Sequence, residues 1–353
     1  AELEEWFDVG EEREVALHSY DWGDAIEPHG IDFLTRFDPM PRWTYEFSGL
    51  TVTRELWLED DADAVWVRYS VQGLQRPVDL RLRPLIRCRP IHDLTFANPF
   101  MNGEIHVERG ASLRVAMHPY KDVPDIVASL HGASGVFRAD GHWYEGVHYA
   151  WERDRGYDDA EDLFTPGELL LKLEHDGSFS VRIGTTPPKS DEPQVLSGLE
   201  PLHRSFVQEL EDAADAYLVD LDGDRTGVIA GFPWFGEWSR DALIALPGLC
   251  LARDEVRKAL DILESLSARR EKGLIPNIPQ SGDVPSNGEA IDASLLFIRA
   301  TALVSKRTRS QRVLRLQEAC LDIIEAIYDG ADPRDRVDPQ GVDAAVDLRQ
   351  RRT

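Results

Sequence analysis

From about residue 11 to residue 185, apolar and polar positions alternate with a period of two. Val65, Val67, Tyr69 and Val71 alternate with Trp66, Arg68 and Ser70. Val78, Leu80 and Leu82 alternate with Asp79, Arg81 and Arg83, and Phe179, Val181 and Ile183 with Ser178, Ser180 and Arg182. Each run offers one face to a core and one to water, as antiparallel strands do. Turn residues separate the runs at Ser48-Gly49, Asp60 to Asp63, Asn102-Gly103 and Asp176-Gly177. Many short strands with regular turns predict a β-sandwich.

A Pro-rich connector follows over 185–197, and the period changes. Leu202, Phe206, Leu210, Ala213, Tyr217 and Leu221 step by three and four, which predicts one apolar helix stripe. Further helices are expected near 238–252, 254–270 (Val256, Leu260, Leu263, Leu266), 290–305 and 310–328. The second half therefore reads as all-α. The fold class is α+β in separate domains, an antiparallel β-sandwich and then helices. The expected boundaries are 1–185 for the sandwich, 186–225 for linker and connecting helix, and 226–330 for the helical domain. The charged segment 331–353 lacks periodicity and is expected to be poorly ordered.

Composition narrows the partners. The 353 residues suit about two domains, and 42% apolar content argues against wholesale disorder. With 39 basic and 64 acidic residues the net charge is −25, which disfavours nucleic acid and anionic membranes. A neutral substrate fits better. No apolar run is long enough to span a membrane, and no leader is visible at Ala1, although a first residue other than Met leaves an upstream start open. Six basic residues are lysine, against 33 arginines, a bias that a salty habitat or a GC-rich genome would give. Cys88, Cys250 and Cys320 are far apart and odd in number, which suits a reducing, cytoplasmic setting better than a disulfide scaffold.

The densest chemistry is Gly231-Phe232-Pro233-Trp234-Phe235-Gly236-Glu237-Trp238-Ser239-Arg240-Asp241. Flat aromatic faces match the C–H faces of a pyranose, and adjacent Arg and Asp donate to and accept from neighbouring sugar hydroxyls. The same residues also read as core aromatics beside a helix-terminal ion pair, and composition leaves both readings open. A second cluster runs from Gly273-Leu274-Ile275-Pro276-Asn277 to Pro285-Ser286-Asn287-Gly288-Glu289-Ala290-Ile291-Asp292. Glu289 and Asp292, three apart where a loop enters a helix, share one face. They suit acid chemistry, but a plain helix cap is the simpler reading of the residues alone.

Asp220, Asp222 and Asp224 open like a calcium loop, yet its sixth and twelfth positions are Arg225 and Gly231, so a solvated turn is expected. His142 and His148 have no second pair at ligand spacing and are expected to be strand or loop histidines. There is no GxSxG, Walker or GxGxxG motif. No metal or cofactor is expected.

Ala230-Gly231-Phe232-Pro233-Trp234-Phe235-Gly236-Glu237-Trp238-Ser239-Arg240-Asp241 resembles the phrase Ala-Gly-Tyr-Pro-Trp-Phe-Gly-x-Trp-Gly-Arg-Asp of the bacterial and archaeal glycogen-debranching, amylo-α-1,6-glucosidase family. The likeness continues through Ile244 to Leu249, Gly273 to Asn277 and Leu210 to Asp215. In the β half it includes Pro39 to Glu46, Leu80 to Leu85, Glu152 to Gly156 and Glu161 to Gly167. It spans roughly residues 11 to 330. It implies a β-sandwich leading into a six-hairpin (α/α)6 toroid, and inverting hydrolysis of α-1,6-linked glucose at branch points of glycogen or limit dextrin. Inverting carboxyls stand ~6.5–9.5 Å apart, leaving room for water. By resemblance Arg240 and Asp241 hold the terminal glucose, Trp234 and Trp238 wall the pocket, and Asn277 joins them. Asp292 is the general-acid candidate and Glu289 a lesser rival.

The sequence departs from the family in places. Gly288-Glu289 stands where Tyr-Asn is usual, and Ser239 replaces a Gly. The family's Gly-rich start, ending in Arg-Tyr-His-Gly-Leu, does not precede Glu2, and the likeness stops at Pro339-Gln340-Gly341. About five of twelve barrel helices are legible. The chain is therefore expected to be a fragment of the catalytic toroid, with the general base beyond residue 353 and little activity alone. Two alternatives stay open: another (α/α)6 hydrolase of trehalase or glucosylglycerate type, and a non-catalytic glucan-binding module.

Overall fold

The computed structural model describes residues 2–329 except 11–12, 39–40, 60–61, 91–92, 111, 189–204, 222–224, 233–234, 280–286 and 290, and of 287–289 the backbone alone. Two compact units divide the chain, Ala1–Glu200 and Pro201–Thr353.

The first unit is built from strands β1 (Glu2–Asp8), β2 (Glu14–Ala16), β3 (Tyr20–Asp21), β4 (Ile26–Glu27), β5 (Leu34–Asp38), β6 (Arg42–Phe47), β7 (Leu50–Leu58) and β8 (Ala64–Gln72). It continues with β9 (Val78–Leu85), β10 (Ile105–Arg109), β11 (Leu113–Met117), β12 (Ile126–His131), β13 (Gly135–His148), the short helix α1 (Ala150–Asp154), β14 (Ala160–Leu173) and β15 (Gly177–Gly184). They form a seven-stranded sheet, β2-β1-β9-β14-β13-β3-β4, and an eight-stranded sheet, β10-β11-β12-β15-β8-β7-β6-β5. The pairings are antiparallel throughout. Ser48 and Gly49, at φ 49° and 80°, close the β6–β7 hairpin with the left-handed backbone such turns need.

The inward positions are those the alternation marks. Leu80, Leu82, Tyr69 and Val52 are fully buried between the sheets, with Phe7 edge-on to Phe47. One ion pair crosses this core. Glu5 on β1 accepts from Arg54 on β7 and from the Tyr69 hydroxyl on β8, both at 2.8 Å. Removing either donor would leave a buried carboxylate undercompensated, a costly state.

Two polar-face positions depart from simple alternation. Trp66 and Arg182, expected toward water, are buried and lie opposite one another in the β8–β15 register. Trp66 stacks on its β7 neighbour Trp57 at 6.1 Å and donates to Glu59, which also accepts from Arg182 at 2.5 Å. A cross-strand aromatic pair and a shared carboxylate cover this patch, so period-two patterning misassigns it.

The second unit contains helices α2 (Phe206–Tyr217), α3 (Ser239–Leu246), α4 (Val256–Ala268), α5 (Ile291–Ser305) and α6 (Gln311–Tyr328). Each falls within the span its stripe predicts, and sandwich followed by helices is the architecture expected. A π-turn, Pro247–Leu251, extends α3. Ser205 and Gln208 form a capping box on α2, and the Ser310 hydroxyl caps α6. Leu243, Leu246, Ile262, Leu263, Phe297, Val304 and Ile323 bury the apolar faces of α3 to α6 in one core.

The all-α expectation for this half is corrected in three respects. Strands β16 (Leu218–Leu221), β17 (Arg225–Gly231) and β18 (Phe235–Glu237) form a meander, and β19 (Pro276–Ile278) pairs with β20 (Asn287–Glu289). Leu221 is thus a strand residue, because the β-branched Val219, Thr226, Val228 and Ile229 favour extended backbone. Finally, the α2 stripe is not buried: Phe206, Val207 and Leu210 are exposed.

Candidate functional site

The aromatic run lies on β17, β18 and the start of α3. Its anchor is Glu237, whose side chain is 4% exposed. Both its oxygens take hydrogen bonds from Arg269, at the end of α4, at 2.6 and 2.8 Å. Arg269 also donates to the Ser265 carbonyl and hydroxyl. This two-pronged pair ties the loop to α4. The residues alone did not single it out, although a lone acid between Gly236 and Trp238 in an aromatic run was a signal.

Trp238 occupies the N-cap of α3 and meets Phe235 edge-on at 6.1 Å. Phe232 and Phe235 are exposed, as aromatics awaiting a flat ligand would be and core residues would not. Ser239, where the family phrase has Gly, is fully buried and its hydroxyl has no hydrogen-bond partner among the described residues. Arg240 and Asp241 follow on the first turn of α3.

The second cluster packs onto the first. The Ile275 amide donates to the Ser294 hydroxyl of α5 at 2.9 Å, docking the Gly273–Asn277 segment on that helix. In the β19–β20 ladder, Pro276 pairs with Glu289 and Ile278 with Asn287. Strand β19 packs against both α3 and α5. Asn277, at its centre, has a buried side-chain oxygen without a partner among the described residues. Gly273, at φ +87°, is required here, since a Cβ would stand 2.6 Å from Ala326 Cβ on α6.

Where α3 and α5 begin, Arg240 Nη1 donates to Asp292 Oδ2 at 3.1 Å. The Ala293 amide donates to the other oxygen, Oδ1, at 2.8 Å. Both side chains are about half exposed, 44% and 51%. Arg240 and Asp292, 52 residues apart in sequence, thus meet where two helices begin. Trp234 and the side chain of Glu289 lie outside the described residues.

Other candidates resolve simply. His142 and His148 are β13 residues, bonded to the Asp140 carbonyl and the Asp159 carboxylate. Asp220 is in β16, and Asp222 and Asp224 lie outside the described residues. The three cysteines are free, Cys250 and Cys320 buried in the helical core. Among the described residues no group of three or more acidic, His or Cys side chains could hold a metal, and no helix is long and apolar enough to cross a membrane.

Comparison with known proteins adds the family. No curated protein matches the chain. Among solved structures, a bacterial glucoamylase complexed with acarbose is similar over 93% of this chain, at 13% identity and a TM-score of 0.46. The chain spans about half of that protein, 52% of its length. A polysaccharide lyase is similar over 54% of this chain and 26% of its own, at 12% identity and a TM-score of 0.28. The model of the N-terminal domain of glycogen debranching enzyme matches residues 1–180, and that of amylo-α-1,6-glucosidase matches 212–342. The first matched segment lies within the first unit and the second within the second, and the chain, half of it covered by the first model alone, belongs to the glycogen debranching enzyme family.

Proposed function

We propose that this chain serves the hydrolysis of α-1,6-glucosidic branch points in glycogen or limit dextrin, with inversion and with Asp292 as general acid. The observation that carries the reading is the meeting of Arg240 and Asp292 at 3.1 Å, half exposed, inside the segment matched by the amylo-α-1,6-glucosidase model. Trp238 supplies an aromatic wall at the same helix start. Arg240 and Asp241 accept the role of donor and acceptor to adjacent glucose hydroxyls, and Asn277 offers an amide oxygen that has no partner among the described residues.

The geometry sets a condition on the acid role. A general acid must carry its proton on an oxygen facing the leaving group. Oδ2 of Asp292 is taken by Arg240 and Oδ1 by the Ala293 amide. Arg240 must therefore exchange Asp292 for a sugar hydroxyl, so that glucose binding frees the oxygen that protonates the glycosidic bond. A second carboxyl then activates water on the opposite face of the ring.

The test is glucose release from a branched limit dextrin by a protein that carries this chain together with the second carboxyl, followed by the anomer first formed; these 353 residues alone are expected to release little. Asp292→Asn is expected to lower kcat by roughly 10²–10⁴-fold without changing thermal unfolding, with Glu289→Gln affecting it less. Initial release of β-glucose is expected. Full activity in Asp292→Asn, or α-glucose as first product, would overturn the assignment.

A further inference from the structure

The outer face of the seven-stranded sheet carries a cavity of about 420 Å³. That lies within the range of small-molecule clefts, ~300–1,000 Å³. Its walls come from five places in the first unit: Glu4 and Trp6 on β1, His18 before β3, Tyr20 and Trp22 on and after β3, Glu27 to His29 at and after the end of β4, and Tyr144 on β13. Glu5 and Phe7 point into the sandwich core, so the alternate residues Glu4 and Trp6 face outward. The aromatic rings form a connected wall. Trp6 meets His18 at 5.0 Å, Tyr20 meets Trp22 at 5.8 Å, and Trp22 lies nearly parallel to Tyr144 at 6.3 Å.

The polar groups are held in defined roles. The Glu5 amide donates to His18 Nδ1, so the proton of a neutral His18 sits on Nε2. The His18 side chain is 8% exposed and Nε2, 3.5 Å from Glu4 Oε1, has no hydrogen-bond partner among the described residues. Burial pushes the His18 pKa down to about 4 and raises that of Glu4. Arg83 donates to the Tyr144 hydroxyl, which donates to Glu4 Oε2 at 3.1 Å. One donor and one acceptor thus stand side by side at the foot of an aromatic wall.

A cation is a poor fit, because guanidinium groups already lie over these rings, Arg81 at 5.4 Å from Trp6 and Arg83 at 6.0 Å from Tyr144. A phosphate or carboxylate meets buried Glu4. A pyranose suits the groups at the foot of this wall, with its C–H face on the aromatics and two adjacent hydroxyls on Nε2–H and Oε1. We propose that this cavity, built from the first unit alone, binds a pyranose ring of a neutral oligosaccharide and gives the protein a glucan-holding site besides the one at Arg240 and Asp292. The cavity chemistry asks only for a pyranose; the choice of an α-glucan rests on the function proposed above.

The experiment is calorimetric titration of the full chain with maltotetraose, repeated with Trp22→Ala, His18→Phe, Trp238→Ala and Asp292→Asn. Binding is expected to weaken at least tenfold in Trp22→Ala and His18→Phe and to persist in the other two. Near-ultraviolet circular dichroism and thermal unfolding check folding, and Trp22→Ala decides the matter if His18→Phe does not fold. Absence of maltotetraose binding to the wild-type chain overturns the inference while leaving the limit-dextrin assay to judge the catalytic reading. Binding lost only in Trp238→Ala also overturns it, and supports that reading. Saturable binding of tetramethylammonium that competes at Trp22 overturns it in favour of a cation cage.

Discussion

The pair Glu237–Arg269 offers the sharpest test of how the aromatic loop is held. Its carboxylate is 4% exposed and its guanidinium 15%, and two short bonds join them. Arg269→Met keeps most of the apolar stem and removes the charge, leaving Glu237 buried and uncompensated. Breaking a buried pair this way costs about 3–5 kcal/mol. For a unit of this size that is a fall in melting temperature of roughly 6–20 °C. The double variant Glu237→Leu/Arg269→Met removes both charges and is expected to recover most of the loss, since apolar replacement of a buried pair is often neutral. Among the described residues the helices are nearly all in the second unit, so the far-ultraviolet helical signal reads its unfolding separately from the sandwich. Urea titrations of wild type, both single variants and the double complete a thermodynamic cycle. Because Trp238, Ser239 and Arg240 follow Glu237 directly, glucan affinity at that site is expected to fall with the single variants as well. A loss below about 1 kcal/mol in Arg269→Met, or a double variant as unstable as the two singles summed, would refute the reasoning.

Further outcomes are expected at other places. The folded pKa of His18 lies below its ordinary 6.5, at about 4, so between these values the unfolded chain binds the extra proton. Sandwich stability should therefore fall by about 3 kcal/mol as pH drops from 6.5 to 4, a slope that urea titrations of His18→Phe should lack; Glu4, with a raised pKa, slopes the opposite way in both proteins. Hydrogen bonds from Arg312 and Arg315 hold the Glu264 carboxyl below its usual 4.5, so their stabilisation of α4 against α6 is present above that pH. It should be lost as pH falls through the lower folded value, and Glu264→Gln should flatten that part of the helical unfolding curve. Gly273→Ala adds left-handed strain and a contact with Ala326, together about 2–3 kcal/mol of destabilisation measured in urea, of which Ala326→Gly should restore only the contact.

The candidate site residues stood out in the sequence because they sit in long motifs at helix starts. Arg240, Asp292, Trp238 and Asn277 were all candidates from the residues, and Arg240 and Asp292 do meet. The Glu237–Arg269 anchor was not legible, since nothing in a sequence says which of many arginines faces a given acid 32 residues away. The same holds for Glu4, His18 and Tyr144, whose cavity joins three strands that are distant in the chain.

Sequence by itself determined what repeats locally. Period-two alternation marked the strands around Val67, Leu80 and Val181, and three-four stepping marked helices α3 to α6, because each residue's neighbours state the same facing again. The tertiary structure alone decided what happens once. It buried Trp66 and Arg182 on a face the alternation left to water, since their partners Trp57 and Glu59 come from β7 and the residue that follows it. It inserted β16 to β18 among helices and left Phe206 and Leu210 exposed. It also brought the N-termini of α3 and α5 together, 52 residues apart, so that one carboxylate faces one guanidinium. Such meetings depend on packing and register, which a single contact cannot write into a periodic pattern.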